Sequence, residues 1–169
     1  MSDDNEKITE NKPSMLAIAA IVAFALLLIS PSDSEVPEIP VENEGFVEAN
    51  VFLQNQNLEL RHNCDALTMT IGVDQARSIQ YGLNNELWER PGSHDLMVDA
   101  LRGYDVEVVM ARVHDLQDGA YIADLYLERE ETVYRLDSRP SDAVAVALRA
   151  DAPIQVNRSL LEEYGRNIC

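Results

Sequence analysis

The sequence predicts an α+β fold, a single compact domain in which helices pack on a mostly antiparallel or mixed sheet, preceded by an N-terminal transmembrane helix. Short alternating apolar segments and helical periodicities interleave from residue 46 onward, and three alternating segments follow one another between residues 105 and 137. An uninterrupted apolar run precedes all of them. The 169 residues suffice for one domain with an appendage, but not for two full domains.

The apolar run at residues 15–29 predicts a membrane anchor. A helix of this length covers about 22 Å, less than the roughly 30 Å of a bilayer core, so a cleaved signal peptide and a buried helix are alternatives. No small-residue cleavage site follows the run, and its acidic, proline-rich flanks separate it from any core. We therefore expect a transmembrane anchor at 15–30.

The only lysines of the chain, Lys7 and Lys12, precede the apolar run. Because positive charges favour the cytoplasmic side, residues 1–14 should form a short cytoplasmic tail. The globular part is then expected outside the cytoplasm, held at the cell membrane by a single span.

An excess of acidic residues is the strongest feature of the composition. The chain has 30 Asp and Glu against 13 Lys and Arg, which gives a formal net charge of −17. Residues 31–44 contain five acids and no base, which predicts an extended, flexible linker. An acidic, lysine-poor surface suits a protein that stays hydrated in concentrated salt, and an ordinary acidic soluble domain is the alternative. The charge disfavours nucleic acid as a partner, since no basic stripe is present.

The domain at 45–169 begins with alternating strands and helices. Alternating apolar residues predict strands at 46–54 and 67–71. Asp74 is expected to cap a first helix, and Ser93 a second. Four apolar residues of the second helix are expected to face the core: Leu96, Met97, Ala100 and Leu101.

Three strands in series are then predicted, at 105–113, 120–127 and 132–137. Asp118 and Gly119 form a turn between the first two of these strands, so an antiparallel meander is expected. Ser141 is expected to begin a helix that is apolar on nearly all sides and therefore buried. A strand at 153–156 and a helix capped by Ser159 complete the prediction.

Two His-Asp-Leu tripeptides are the clearest candidates for chemistry, His94-Asp95-Leu96 and His114-Asp115-Leu116. An imidazole beside a carboxylate suits proton transfer or metal binding. Taken singly, each pair is better explained by helix capping or loop closure. Two such pairs among three histidines nevertheless indicate a shared site.

A second cluster of polar residues is found at 137–142 (DSRPSD), before the buried helix. Arg139 can bind a neighbouring carboxylate such as Asp142, or a phosphate at the amino end of the helix, and both interpretations stay open. Cys64 and Cys169 can pair if the domain lies outside the cytoplasm, although the sequence does not show that they meet. Walker, GxGxxG, GxSxG and HExxH motifs are absent from the sequence.

These motifs resemble those of the bifunctional nuclease domain family. The resemblance rests on the order and spacing of residues 90–96 (RPGSHDL), 114–119 (HDLxDG) and 137–149 (DSRPSDAVAVALR), and it extends over residues 46–163. It implies a compact α+β domain and, for some relatives, nuclease activity on DNA and RNA. The positions that match the motifs are His94, Asp95, His114, Asp115, Arg139 and Asp142.

We therefore expect a membrane-anchored nuclease that hydrolyses phosphodiester bonds. In this hypothesis Asp95, His114 and Asp115 hold a divalent ion such as Mg²⁺ or Mn²⁺ that activates water, while Arg139 stabilises the charge on phosphorus. The alternative is a non-enzymatic module for protein binding or homo-oligomerisation, displayed at the membrane. The enzymatic hypothesis requires the histidine–aspartate pairs and Arg139 to converge in one pocket.

Overall fold

The computed structural model describes residues 44–87 and 89–169. The expected cytoplasmic tail, membrane anchor and almost all of the linker lie outside the described residues. In the part of the chain that is described, no helix has the length and apolar character needed to cross a membrane.

The α+β class is confirmed for the described residues, which form nine strands and four helices. The strands are β1 (Phe46–Glu48), β2 (Asn50–Gln54), β3 (Asn57–His62), β4 (Asp65–Thr70), β5 (Glu107–Gln117), β6 (Ala120–Arg129), β7 (Thr132–Ser138), β8 (Ile154–Asn157) and β9 (Arg166–Asn167). The helices are α1 (Val73–Leu83), α2 (Ser93–Gly103), α3 (Pro140–Arg149) and α4 (Arg158–Tyr164).

The strands form two sheets, whereas the sequence predicted one. A five-stranded sheet has the order β1-β8-β5-β6-β7, and a four-stranded sheet has the order β2-β3-β4-β9. The first sheet is mixed, since β5 and β8 are parallel and its other neighbours are antiparallel. The expected strand at 46–54 divides at Ala49, whose N–H donates to the carbonyl of Ile154. One half therefore joins each sheet.

Helix α3 lies in the centre of the core, as its apolar sequence predicted. Each residue from Ala143 to Ala147 is at most 1% exposed. The helix packs against α1 and α2 on one side and against β5 and β6 on the other. It begins at Pro140, one residue before the expected start, because the fixed φ of proline suits the first helical position.

Helix α2 is rotated about its axis relative to the prediction. Leu96 is 59% exposed, whereas Val98 is 3% and Asp95 8% exposed. Asp95 turns inward because Arg149 Nε donates a hydrogen bond to its Oδ1 at 2.5 Å. The prediction that Leu96 and Ala100 face the core was wrong, since hydrophobic periodicity contains no information about an ionic partner 54 residues away.

A disulfide joins Cys64 to Cys169, the last residue of the sequence, with 5.3 Å between the two Cα atoms. The pairing that the sequence left open is therefore present. The bond lies beside the short antiparallel pairing of β9 with β4. It closes a loop over a sequence separation of 105 residues.

Removal of this disulfide is expected to lower the free energy of unfolding by about 2–4 kcal/mol, because an open chain gains conformational freedom when it unfolds. The measurement is urea denaturation of the wild type and of Cys64→Ser/Cys169→Ser. Reductant should shift the wild-type midpoint and leave that of the double variant unchanged. A wild-type midpoint that reductant does not move would contradict the prediction.

Glu59 is a charged residue buried in β3. Its side chain is 6% exposed and accepts from Arg61 and Arg166. The hydrogen bond from Arg61 has the largest effect on the pKa of Glu59 and lowers it. Burial raises this pKa, and the hydrogen bond from Arg166 lowers it again. The net result is a pKa below the ordinary value of 4.5. The carboxylate is thus stabilised in its ionised form.

Acidification should weaken the fold through Glu59. Because the folded-state pKa is lower than that of the unfolded chain, the ion pairs contribute fully above pH 4.5 and lose this contribution as the pH falls through the folded-state pKa. We expect Glu59→Gln to show a shallower loss of unfolding free energy below pH 4.5 in urea denaturation series. Equal slopes for the variant and the wild type would disprove this role.

Candidate active site

A cavity of about 590 Å³ opens between α1, the first turns of α2 and one side of α3. Its apolar floor is formed by Met97, Leu125 and Val146. Its polar and charged side chains are Asp74, Gln75, Arg77, Ser78, Tyr81, Ser93, His94, Asp95, Ser138, Arg139, Asp142 and Arg149. Three arginines and three aspartates are among them, so the formal charges balance here in a chain of net charge −17.

His94 is held between a hydroxyl group and a carboxylate. Its Nδ1 lies 2.8 Å from Ser78 Oγ on α1, and its Nε2 lies 3.3 Å from Asp142 Oδ1 on α3. The side chain is 19% exposed, so the ring remains accessible from the cavity. A ring oriented by a carboxylate and bonded to a hydroxyl group can accept a proton in the cavity.

Arg139 and Asp142 form the charged entrance to α3. Arg139 Nε donates to Asp142 Oδ2 at 2.5 Å, which leaves the other carboxylate oxygen for His94. This bond raises the pKa of the Arg139 guanidinium. The Arg139 side chain is 69% exposed, so its other N–H donors can reach a ligand in the cavity.

Asp95 lines the same cavity, but both of its oxygens are engaged. Oδ1 accepts from Arg149 Nε at 2.5 Å, and Oδ2 accepts from the backbone N–H of Gly92 at 2.7 Å. Burial raises the pKa of Asp95, and the bonds from Arg149 and Gly92 outweigh that effect and lower it. The carboxylate therefore links the start of α2 to the end of α3.

His114 lies outside this cavity, on the other face of the five-stranded sheet. His114 Nε2 is 3.2 Å from Asp124 Oδ2, and both residues line a separate cavity of about 300 Å³. The neighbour of Asp124, Leu125, lines the first cavity, because successive residues of a strand point to opposite faces. The backbone of β6 thus separates the two cavities.

Asp115 is likewise absent from the residues that line the first cavity. Its carboxylate accepts from the side chain of Gln117 and from the N–H of Leu116, and these bonds lower its pKa. Of the six expected site residues, four therefore share one cavity and two do not. The enzymatic hypothesis is therefore retained only for the four that share the cavity, and it no longer includes His114 and Asp115.

The expected metal ligands do not form one site. Asp95 is separated by the sheet from His114, and its oxygens are engaged by Arg149 and Gly92. Among residues 44–87 and 89–169, no group of three or more His, Cys, Asp and Glu side chains is arranged to hold a metal ion. The arrangement of the described residues thus does not fit the divalent metal site that the sequence suggested.

In the first cavity, two side chains that contact the expected site residues were missed from the sequence, Ser78 and Arg149. Arg149 follows Asp142 by seven residues, a spacing that places both on one side of a helix, so its location beside the site was predictable. No local pattern marks Ser78. It meets His94 only because α1 and α2 both pack against α3.

Comparison with known sequences identifies relatives for most of the domain. The bifunctional nuclease domain matches residues 57–168. An uncharacterized protein of Mycobacterium tuberculosis is 33% identical over 115 residues, which are 66% of this chain and 68% of that protein. Bifunctional nuclease 2 of Arabidopsis thaliana is 40% identical over 77 residues, 43% of this chain and 22% of that protein. Bifunctional nuclease 1 of Oryza sativa subsp. japonica is 32% identical over 89 residues, 51% of this chain and 27% of that protein.

Proposed function

Because this chain belongs to the bifunctional nuclease domain family, we propose that it hydrolyses phosphodiester bonds of DNA or RNA in the cavity that contains His94. The observation that carries the proposal is the position of the His94 ring, hydrogen-bonded to Ser78 and Asp142 beside an accessible arginine. This arrangement supplies a proton acceptor and a cation at the same place. The proton acceptor assists a nucleophile that attacks phosphorus, and the cation stabilises the negative charge on the phosphate oxygens.

His94 serves as the general base in this proposal. Asp142 fixes the ring through Nε2 and stabilises the imidazolium that forms when the opposite nitrogen takes a proton. Arg139 holds Asp142 with Nε and presents its remaining donors to the phosphate oxygens. Asp95 has a different role, because its oxygens fix the cavity wall through Arg149 and Gly92.

The cavity repels a nucleic acid less than the net charge of the chain implies, because its own formal charges balance. The charged lining residues balance, and Arg77 and Arg139 are 46% and 69% exposed in their side chains. Like Arg149, each of them is paired with an aspartate of the cavity lining. A phosphate that enters this cavity is therefore near accessible cations. At about 1 M salt the Debye length is near 3 Å, so the distant acidic residues are screened.

The proposal is tested by incubating the purified full-length chain with labelled single- and double-stranded DNA and with RNA. Parallel reactions contain Mg²⁺, Mn²⁺ or EDTA, so that a metal requirement would be detected. The control is His94→Ala purified in the same way, which measures contaminating nucleases. Cleavage by the wild type well above this control is the expected result. No cleavage, or equal cleavage by both proteins, would refute the proposed activity.

Attachment to the membrane and an extracytoplasmic location are part of the same proposal. The apolar run at 15–29 and the two lysines before it support them. The disulfide between Cys64 and Cys169 adds independent support, because such bonds persist in oxidising compartments. The full-length chain should sediment with membranes, and protease added to intact cells from which any wall has been removed should digest the domain. A chain that stays in the supernatant would contradict the anchor.

A further inference from the structure

The geometry points to Ser78 Oγ as the nucleophile that attacks phosphorus, an inference that rests on the proposed phosphodiester chemistry. Ser78 lies in the middle of α1, is partly buried and lines the cavity. Its hydroxyl is 2.8 Å from His94 Nδ1, within the range of a direct proton transfer. Ser78, His94 and Asp142 therefore form a chain of hydroxyl, imidazole and carboxylate.

The direction of the hydrogen bonds follows from the partners of His94. Asp142 Oδ1 has no proton to donate when ionised, so His94 Nε2 must carry a hydrogen and donate it. In the neutral ring Nδ1 is then unprotonated and accepts the hydroxyl hydrogen of Ser78. This is the tautomer that a general base for Ser78 requires.

Ser93 provides a comparison within the same cavity. It also lines the cavity, at the start of α2, and it is exposed. The structure gives Ser78, and not Ser93, a hydrogen bond to an imidazole. A hydroxyl is a weak nucleophile unless a base takes its proton, so Ser78 is the serine expected to react.

The reaction proceeds in two balanced steps. Ser78 Oγ bonds to phosphorus while its proton moves to His94 Nδ1, and the bond from phosphorus to the leaving oxygen breaks as that oxygen receives the proton. The product is a phosphodiester between Ser78 and the retained part of the substrate. Water then attacks phosphorus, gives a proton to His94, and the bond from phosphorus to Ser78 breaks as Oγ recovers its hydrogen. Water is the only co-reactant consumed, and neither step needs an oxidant or a reductant.

The test uses diisopropyl fluorophosphate and the full-length chain. Ser78 Oγ displaces fluoride from this reagent, so the wild type should gain one diisopropylphosphoryl group, located by peptide mass spectrometry on Ser78. Ser93→Ala should be labelled like the wild type, Ser78→Ala should not be labelled, and His94→Ala should react at least about 10²-fold more slowly. In nucleic-acid cleavage Ser78→Ala should lower kcat by about 10³-fold or more.

The outcomes separate this inference from the proposed function. The assignment of Ser78 as the nucleophile would be wrong if Ser78→Ala cleaved nucleic acid as fast as the wild type, or if the label were found on another residue. Either result would leave the nuclease proposal intact. Labelling of Ser78 without any nucleic-acid cleavage would overturn the nuclease proposal and retain the reactive serine. The wild-type labelling site decides the question even if Ser78→Ala fails to fold.

Discussion

Replacement of His94 by alanine is expected to reduce phosphodiester cleavage by about 10²–10⁴-fold, the usual effect of losing a general base. The ring is the link between the Ser78 hydroxyl and the Asp142 carboxylate, which lie on different helices. Without it, no described contact connects these two groups. The measurement is kcat and KM on a labelled oligonucleotide, with the melting temperature recorded for each protein.

His62→Ala is the matched control for this variant. His62 is partly buried at the end of β3, and its Nδ1 contacts the carbonyl of Glu48, outside the cavity. It should keep wild-type kcat. If His94→Ala loses activity only in proportion to a large fall in melting temperature, the ring maintains the fold and the catalytic interpretation fails. We expect His94→Ala to keep the melting temperature of the wild type and to lose kcat.

Arg149→Ala is expected to lower the free energy of unfolding by about 3–5 kcal/mol, because it leaves a buried carboxylate without its cation. The Arg149 and Asp95 side chains are 10% and 9% exposed. Arg149 also donates to the carbonyl of Ala145 at 2.7 Å, so the variant loses a second contact. Urea denaturation near neutral pH measures the effect.

Two further comparisons test the physical cause of that loss. The difference in unfolding free energy between the wild type and Arg149→Ala should become smaller as the pH falls through 3.8, the ordinary pKa of Asp95. The reason is that protonation removes the unpaired negative charge of Asp95 from the variant. Arg129→Ala removes an exposed arginine 3.7 Å from Glu130 and should cost at most about 1 kcal/mol. If the loss of unfolding free energy did not depend on pH, or were equal for Arg149→Ala and Arg129→Ala, the buried charge of Asp95 would not be its cause.

Local sequence patterns predicted most of the helices and strands, because the spacing of apolar residues indicates which side of an element is buried. The apolar stretch of α3 and the turn at Asp118 and Gly119 were correctly assigned, since both depend on neighbouring residues alone. Strand β3 was missed, although it pairs with β2 and β4 in the four-stranded sheet. The division of 46–54 between two sheets depends on distant partners, such as the carbonyl of Ile154 for Ala49.

The candidate site was predictable only where a motif lies on one helix or at its start. Arg139 and Asp142 are three residues apart at the entry of α3, so their contact follows from helical spacing. The contacts of His94 with Ser78 and Asp142 cross between helices, over sequence separations of 16 and 48 residues. The similar tripeptide at His114 was misleading, because its strand presents that ring to the other side of the sheet.

The hairpin of β6 and β7 has a consequence for how this domain tolerates insertions. Leu125 and Ser138 line one cavity, and their neighbours Asp124 and Asp137 line the other. The register is set at the tight turn, where Glu130 and Glu131 both have positive φ. One residue inserted at this turn would shift the strand register by one position and turn each side chain of the shifted strand to the opposite face of the sheet. We therefore expect the turn to tolerate substitutions far better than insertions or deletions.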